Sequence, residues 1–142
     1  MTKLRQAKKA PIGLPWMTLR DAIAGLGEPN GRRNHVLRDG ARIYSGHTGS
    51  ALDMPSKDLK AGDHGVPGGE NMIRFPDGSV RYLTAREAAR LVGLPDDYEF
   101  PRSWTESMRQ MGNAVPTQLA EAAGQHVRAA LERGWSGRVA AE

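Results

Sequence analysis

The stretch RYLTAREAARLVGLPDDYEF at residues 81–100, followed by QMGNAVPTQLA at residues 110–120, decides how this chain folds. Thr84 and Glu87 stand at Thr-x-x-Glu spacing, in which the hydroxyl accepts from the backbone N–H three residues on and the carboxylate reaches back to the cap. Behind that cap, Ala88, Leu91 and Val92 fall at the i, i+3, i+4 spacing of one helical face, and Gly93 with Pro95 ends the run. The pattern predicts a short helix. Arg86 and Arg90, four residues apart, share a different face.

Working outward, Ser103 and Glu106 repeat the capping box before a second short helix that Gly112 ends. A final helix is predicted from Pro116, as its first residue, to about Arg133, burying Leu119, Ala123, Val127, Ala130 and Leu131, with Gly134 past its end and residues 135–142 as a frayed tail. Upstream, residues 72–75, the turn Pro76-Asp77-Gly78-Ser79 and residues 80–83 read as a hairpin. From residue 28 to residue 71 no helical period persists, and GRRN, RDG, SGHTGS, AGDHG and PGGEN recur as breakers. That leaves room only for short strands such as residues 41–44, with Leu52, Met54, Leu59 and Val66 spaced to anchor a long loop. Thr18 and Asp21 form a further capping box opening a short helix whose face is Ala22, Ile23 and Leu26, stopped by Gly27 and Pro29. The expected class is α+β and loop-rich.

A chain of 142 residues builds one ordinary domain, and 17 Gly with 9 Pro commit much of it to turns. The net charge of +4 is unevenly placed: residues 1–46 carry nine Lys and Arg against three Asp and Glu, a net of +6, and the remainder nets −2. A polyanionic partner suits that distribution. There is no cysteine, which excludes disulfides, thiolate metal sites and thiol nucleophiles, and the four His show no ligand spacing for a metal. No apolar run approaches a membrane span or a secretory signal, so the expectation is a cytoplasmic protein.

The two motifs resemble the closing blocks of the bacterial DNA cytosine-5 methyltransferases. The ninth block of that family reads approximately R-x-L-T-P-R-E-x-A-R-L-Q-x-F-P-D, matched by Arg81, Leu83, Thr84, Arg86, Glu87, Ala89, Arg90, Leu91, Pro95 and Asp96. The tenth reads Q-x-G-N-[AS]-V, matched by Gln110, Gly112, Asn113, Ala114 and Val115. Ala85, Val92 and Leu94 depart from the usual Pro, Gln and Phe. More loosely, residues 18–26 are similar to the segment that follows the family's catalytic domain, and residues 56–71 sit where its target recognition region lies. The earlier blocks, with the Gly-rich cofactor loop and the Pro-Cys nucleophile, have no counterpart here. The family's chemistry needs that thiolate, since a Ser or Thr hydroxyl is far less ionised. The chain therefore has no catalytic residue of its own.

What the resemblance implies is a division of labour. Residues 1–15 are a basic flexible arm, and residues 16–103 a small target recognition domain with short strands and a hairpin that includes the ninth block at 81–96. Residues 104–134 carry the tenth block and C-terminal helices that pack on a partner catalytic α/β domain. Asn113, Ala114 and Val115 fold beside S-adenosylmethionine, a cofactor held only with that partner. The target base must leave the duplex for such chemistry. Lys57, Lys60, Arg74, Arg32 and Arg33 offer contacts to double-stranded DNA at phosphate or guanine, and Thr48, Ser56, His64 and Asn71 can bond base edges. Arg86 and Arg90 read either as phosphate contacts or as structural ion pairs. Thr84, Glu87, Pro95 and Gly112 are structural. The chain opens with its own Met just before the recognition region, so the expectation is the second subunit of a split methyltransferase; the alternatives are a non-catalytic DNA-binding remnant and an interaction protein docking through its last helix.

Overall fold

The computed structural model of the chain describes residues 16–61 and 71–139, with side chains described as far as residue 134. The predicted basic arm, His64, Val66 and residues 140–142 lie outside the described residues. Within them, the order of elements is α1 (Leu19–Ile23), β1 (Ser50–Ala51), β2 (Met72–Arg74), β3 (Val80–Tyr82), α2 (Ala85–Leu91), α3 (Trp104–Gly112) and α4 (Thr117–Val139). This is a small α+β arrangement built on one three-stranded sheet in the order β1-β2-β3.

The hairpin forms as its sequence predicts. β2 and β3 pair antiparallel with Met72 opposite Tyr82 and Arg74 opposite Val80, and Gly78 takes the left-handed backbone (φ 89°) that the turn needs. Three findings differ from the sequence reading. The strand predicted at residues 41–44 is absent, and Tyr44 makes only an isolated bridge to His47, because the glycines on either side leave nothing to extend it. A parallel strand, β1, pairs with β2 instead. The last helix runs through Gly134 to Val139 rather than stopping before it; a single exposed glycine weakens a helix by about 1 kcal/mol and does not end it.

All three short-helix caps are filled. The Thr18 and Thr84 hydroxyls each accept from the N–H three residues on, and Asp21 and Glu87 bond back to the caps. Ser103 also caps α3, but Glu106 turns away from it to pair with Arg109 at 2.6 Å, so the reciprocal half of that box is not made. At α1 the next two N–H groups donate to the carbonyls of Met54 and Leu52, both at 2.9 Å. These bonds dock the helix on the chain that follows β1.

The core gathers Leu19, Leu52, Ile73, Leu83, Ala85, Ala88, Ala89, Val92, Phe100, Met108 and Met111. Each large apolar member contributes about 2 kcal/mol by leaving water. Leu19, not the predicted Ala22 or Leu26, is the fully buried anchor of α1. α2 is buried far beyond its predicted stripe: Ala85 to Ala89 are all enclosed, including Arg86 and Glu87. By contrast, α4 buries none of the residues predicted for its inner face. Leu119, Val127 and Leu131 are 60%, 60% and 67% exposed.

Candidate functional site

Two buried polar arrangements organise the surface around α2. In the first, Arg81 grips Glu87 with two bonds of 2.8 and 2.6 Å while Glu87 also accepts from the backbone N–H of Thr84 at 2.8 Å. Burial of that carboxylate is tolerated because both of its oxygens accept hydrogen bonds, three in all. Thr84 meanwhile bonds Nδ1 of His35 at 2.9 Å, and Nε2 of His35 lies 3.2 Å from the Gly27 carbonyl. A carbonyl only accepts, so Nε2 of His35 donates to Gly27.

The second arrangement centres on Arg86, which is 2% exposed. Its guanidinium donates to the carbonyls of Arg33 (3.0 Å), Pro95 (3.0 Å) and Tyr98, and its backbone N–H donates to the carbonyl of Asn34 at 3.2 Å. Of the two roles open to Arg86 in the sequence, phosphate contact is therefore corrected to a structural one, with carbonyls in place of an ion pair. Arg90 likewise is spent internally. It makes paired bonds of 2.8 and 2.5 Å to Asp96 and one of 2.6 Å to the carbonyl of Ala24 beyond α1. The same pairing holds the Asp96 carboxyl below the usual carboxylate range and raises Arg90. Pro95 serves by its carbonyl as well as by ending the helix.

Six of the remaining residues predicted to face DNA fall into two groups. Arg32 and Arg33 are exposed on the loop that Arg86 braces. Ser56, Lys57 and Lys60 lie on the chain after β1 and Thr48 just before it: the Lys57 Nζ donates to the Thr48 hydroxyl at 3.2 Å, and Ser56 donates to the Lys57 carbonyl at 2.9 Å. Asn71 is withdrawn from any base edge, since it is fully buried and closes a two-way bond with the backbone of Lys60 at 3.0 and 3.3 Å. Arg74 is exposed on β2.

Block ten supplies a rim. Asn113, Ala114 and Val115 form an exposed turn between α3 and α4. Gly112 precedes it at a point where a Cβ would lie 2.8 Å from the backbone nitrogen of Ala61, so only glycine allows the helix end to approach that segment. Ala114 and Pro116 border a groove of about 720 Å³ shared with Thr18, Leu59, Arg90 and Val92. Of that exposed turn only Ala114 lines the groove, so by itself the turn does not enclose a cofactor. Among the described residues no cluster of His, Cys, Asp and Glu could hold a metal, and no helix is long and apolar enough to cross a membrane.

The sequence reading missed Asn34, His35 and Trp104. Trp104 donates its indole N–H to the Leu83 carbonyl at 2.9 Å, stacks in a tilted contact on Tyr82 and lies under Arg38. Asn34 could have been suspected from the GRRN breaker, because asparagine tolerates the left-handed region. His35 carries no such signal.

Residues 29–129 match the family profile described as C-5 cytosine-specific DNA methylase. The chain is 40% identical over 82 residues to the type II methyltransferase M.AplI of Arthrospira platensis, a match covering 57% of this chain and 24% of that protein. It is 48% identical over 64 residues to M.NgoFVII of Neisseria gonorrhoeae, covering 45% of this chain and 16% of that one. The longest of these matches, 31% over 146 aligned positions, is to M.MthTI of Methanothermobacter thermautotrophicus, covering 82% of this chain and 44% of that protein. The chain thus spans less than half the length of these relatives.

Proposed function

The chain belongs to the C-5 cytosine-specific DNA methylase family, and from that premise we propose that it performs target recognition and completes the cofactor pocket for a catalytic domain carried on a separate polypeptide. In this reading residues 16–103 are the recognition unit, and residues 104–134 return to the catalytic domain. S-adenosylmethionine, when bound there, supplies the methyl group. Asn113, Ala114 and Val115 border it, while Arg32, Arg33, Thr48, Ser56, Lys57, Lys60 and Arg74 meet duplex DNA, with His64 as a further base-edge candidate.

One observation carries the reading. A family member with no cysteine presents a helix whose Leu119, Val127 and Leu131 lie in solvent. An apolar stripe of that kind marks an interaction site, and the missing thiolate is the part such a partner would contribute. Thr117 fixes the start of α4 on the end of α2, and the exposed face beyond it is displayed where a second domain can take it.

The test is co-purification with a chain that holds the family's Gly-rich cofactor loop and Pro-Cys motif. A complex that forms with the wild-type chain and is lost when Leu119 and Val127 are both replaced by Glu supports the assignment. Retention of duplex DNA with no complex favours a non-catalytic DNA-binding remnant.

A further inference from the structure

The loop at residues 31–35 holds two consecutive residues in the left-handed region, Arg33 (φ 47°) and Asn34 (φ 66°). Asparagine tolerates that region; arginine does so at a cost that glycine would not incur. A strained backbone persists only where the surrounding structure over-determines it, and here it does. The Asn34 side chain clamps the backbone of Phe100 from both sides, donating to its carbonyl at 2.9 Å and accepting from its N–H at 2.8 Å. Buried Arg86 takes the Arg33 carbonyl at 3.0 Å. Buried His35 ties the loop to Thr84 and Gly27, and its own carbonyl accepts from Gly31 at 2.8 Å.

The side chains this device presents are Arg32 and Arg33, both exposed. Neither enters an ion pair among the described residues; Asp96 lies in the field of Arg33, but its partner is Arg90 at 2.5 Å. Six anchoring bonds thus fix the backbone under two guanidinium groups that form no ion pair among the described residues. A glycine at position 33 would relieve the strain and remove one of those charges.

We propose that Asn34, backed by Arg86 and His35, is a positioning residue that holds Arg32 and Arg33 as fixed contacts to the phosphates of duplex DNA. The inference rests on the reading that this chain faces DNA. Fixing the stems beforehand lowers the ordering cost that binding would otherwise meet, and phosphate contacts set the register of a protein on the duplex without reading bases.

The experiment follows binding of the full chain to a labelled duplex of mixed sequence across a salt series, with thermal unfolding of each variant alongside. Replacing Arg32 and Arg33 together by Ala removes two phosphate contacts and lowers the slope of log affinity against log salt by about 1.8. Asn34→Gly accepts the left-handed backbone yet loses the clamp on Phe100, so it serves where Asn34→Ala fails to fold. It lowers both affinity and slope although both charges remain, and it adds no further loss in the Arg32→Ala, Arg33→Ala background. Equal losses in the two backgrounds, or none in either, overturn the positioning role while leaving the DNA reading intact. A wild-type chain that does not bind the duplex overturns both.

Discussion

Thr117 donates its hydroxyl to the carbonyl of Gly93 at 3.0 Å, and its backbone N–H donates to the neighbouring Val92 carbonyl at the same distance. The end of α2 and the start of α4 therefore satisfy each other's orphan groups. Through this joint the ninth block positions the turn of the tenth.

Gly93 should tolerate no side chain. Its φ is +79°, and a Cβ there would fall 2.1 Å from the Thr117 hydroxyl. Gly93→Ala is expected to cost about 2 kcal/mol through backbone strain, with added loss from the broken joint. Urea unfolding measures the cost, and an unchanged midpoint would show that α4 is not held this way.

Glu87 joins a cap to an ion pair, so two variants separate the parts. Glu87→Ala removes both and leaves Arg81, 18% exposed, without its carboxylate; a loss of about 3 kcal/mol is expected. Glu87→Gln keeps an oxygen for the Thr84 N–H and loses less. Equal destabilisation by both would place the whole effect in the charge.

Acid should loosen the α3 surface. Arg109, bonded to Glu106, holds that carboxyl at about 2, below its ordinary 4.5, and Arg90 lowers Asp96 in the same direction. A depressed carboxyl stabilises the fold above its unfolded value, and that contribution fades as pH falls from 4.5 through about 2. Both carboxylates are solvent-facing, so added salt should shrink the effect. Urea midpoints between those pH values check it, and Glu106→Gln should flatten part of the slope.

The α4 stripe should matter for assembly and not for folding. Leu119 and Val127 are each 60% exposed, so replacing both by Glu is expected to change stability by less than about 0.5 kcal/mol each while abolishing capture of a catalytic chain. A large fall in stability would mean that the stripe is packed internally.

Much of the local structure was legible because it is written in local chemistry. The caps at Thr18, Thr84 and Ser103 and the hairpin around Gly78 depend on residues three or four apart, and all formed. What was not legible depends on distant partners. Nothing near β1 in sequence announces that Ser50 will pair with Ile73, and nothing near Arg86 announces that three carbonyls from two other loops converge on it. A charged side chain on a helix, such as Arg86, or a polar one in a loop, such as Asn71, reads as surface until the rest of the fold closes over it. The stripe on α4 is the opposite case: its period predicts burial, and among the described residues nothing covers it.

The central claim is that the reactive sulfur for this chemistry comes from another polypeptide, and labelled methyl transfer from S-adenosylmethionine to duplex DNA tests it most directly. The account predicts no incorporation by this chain alone and incorporation when it is mixed with a chain bearing the cofactor loop and the Cys nucleophile. Incorporation by the purified chain alone would contradict it.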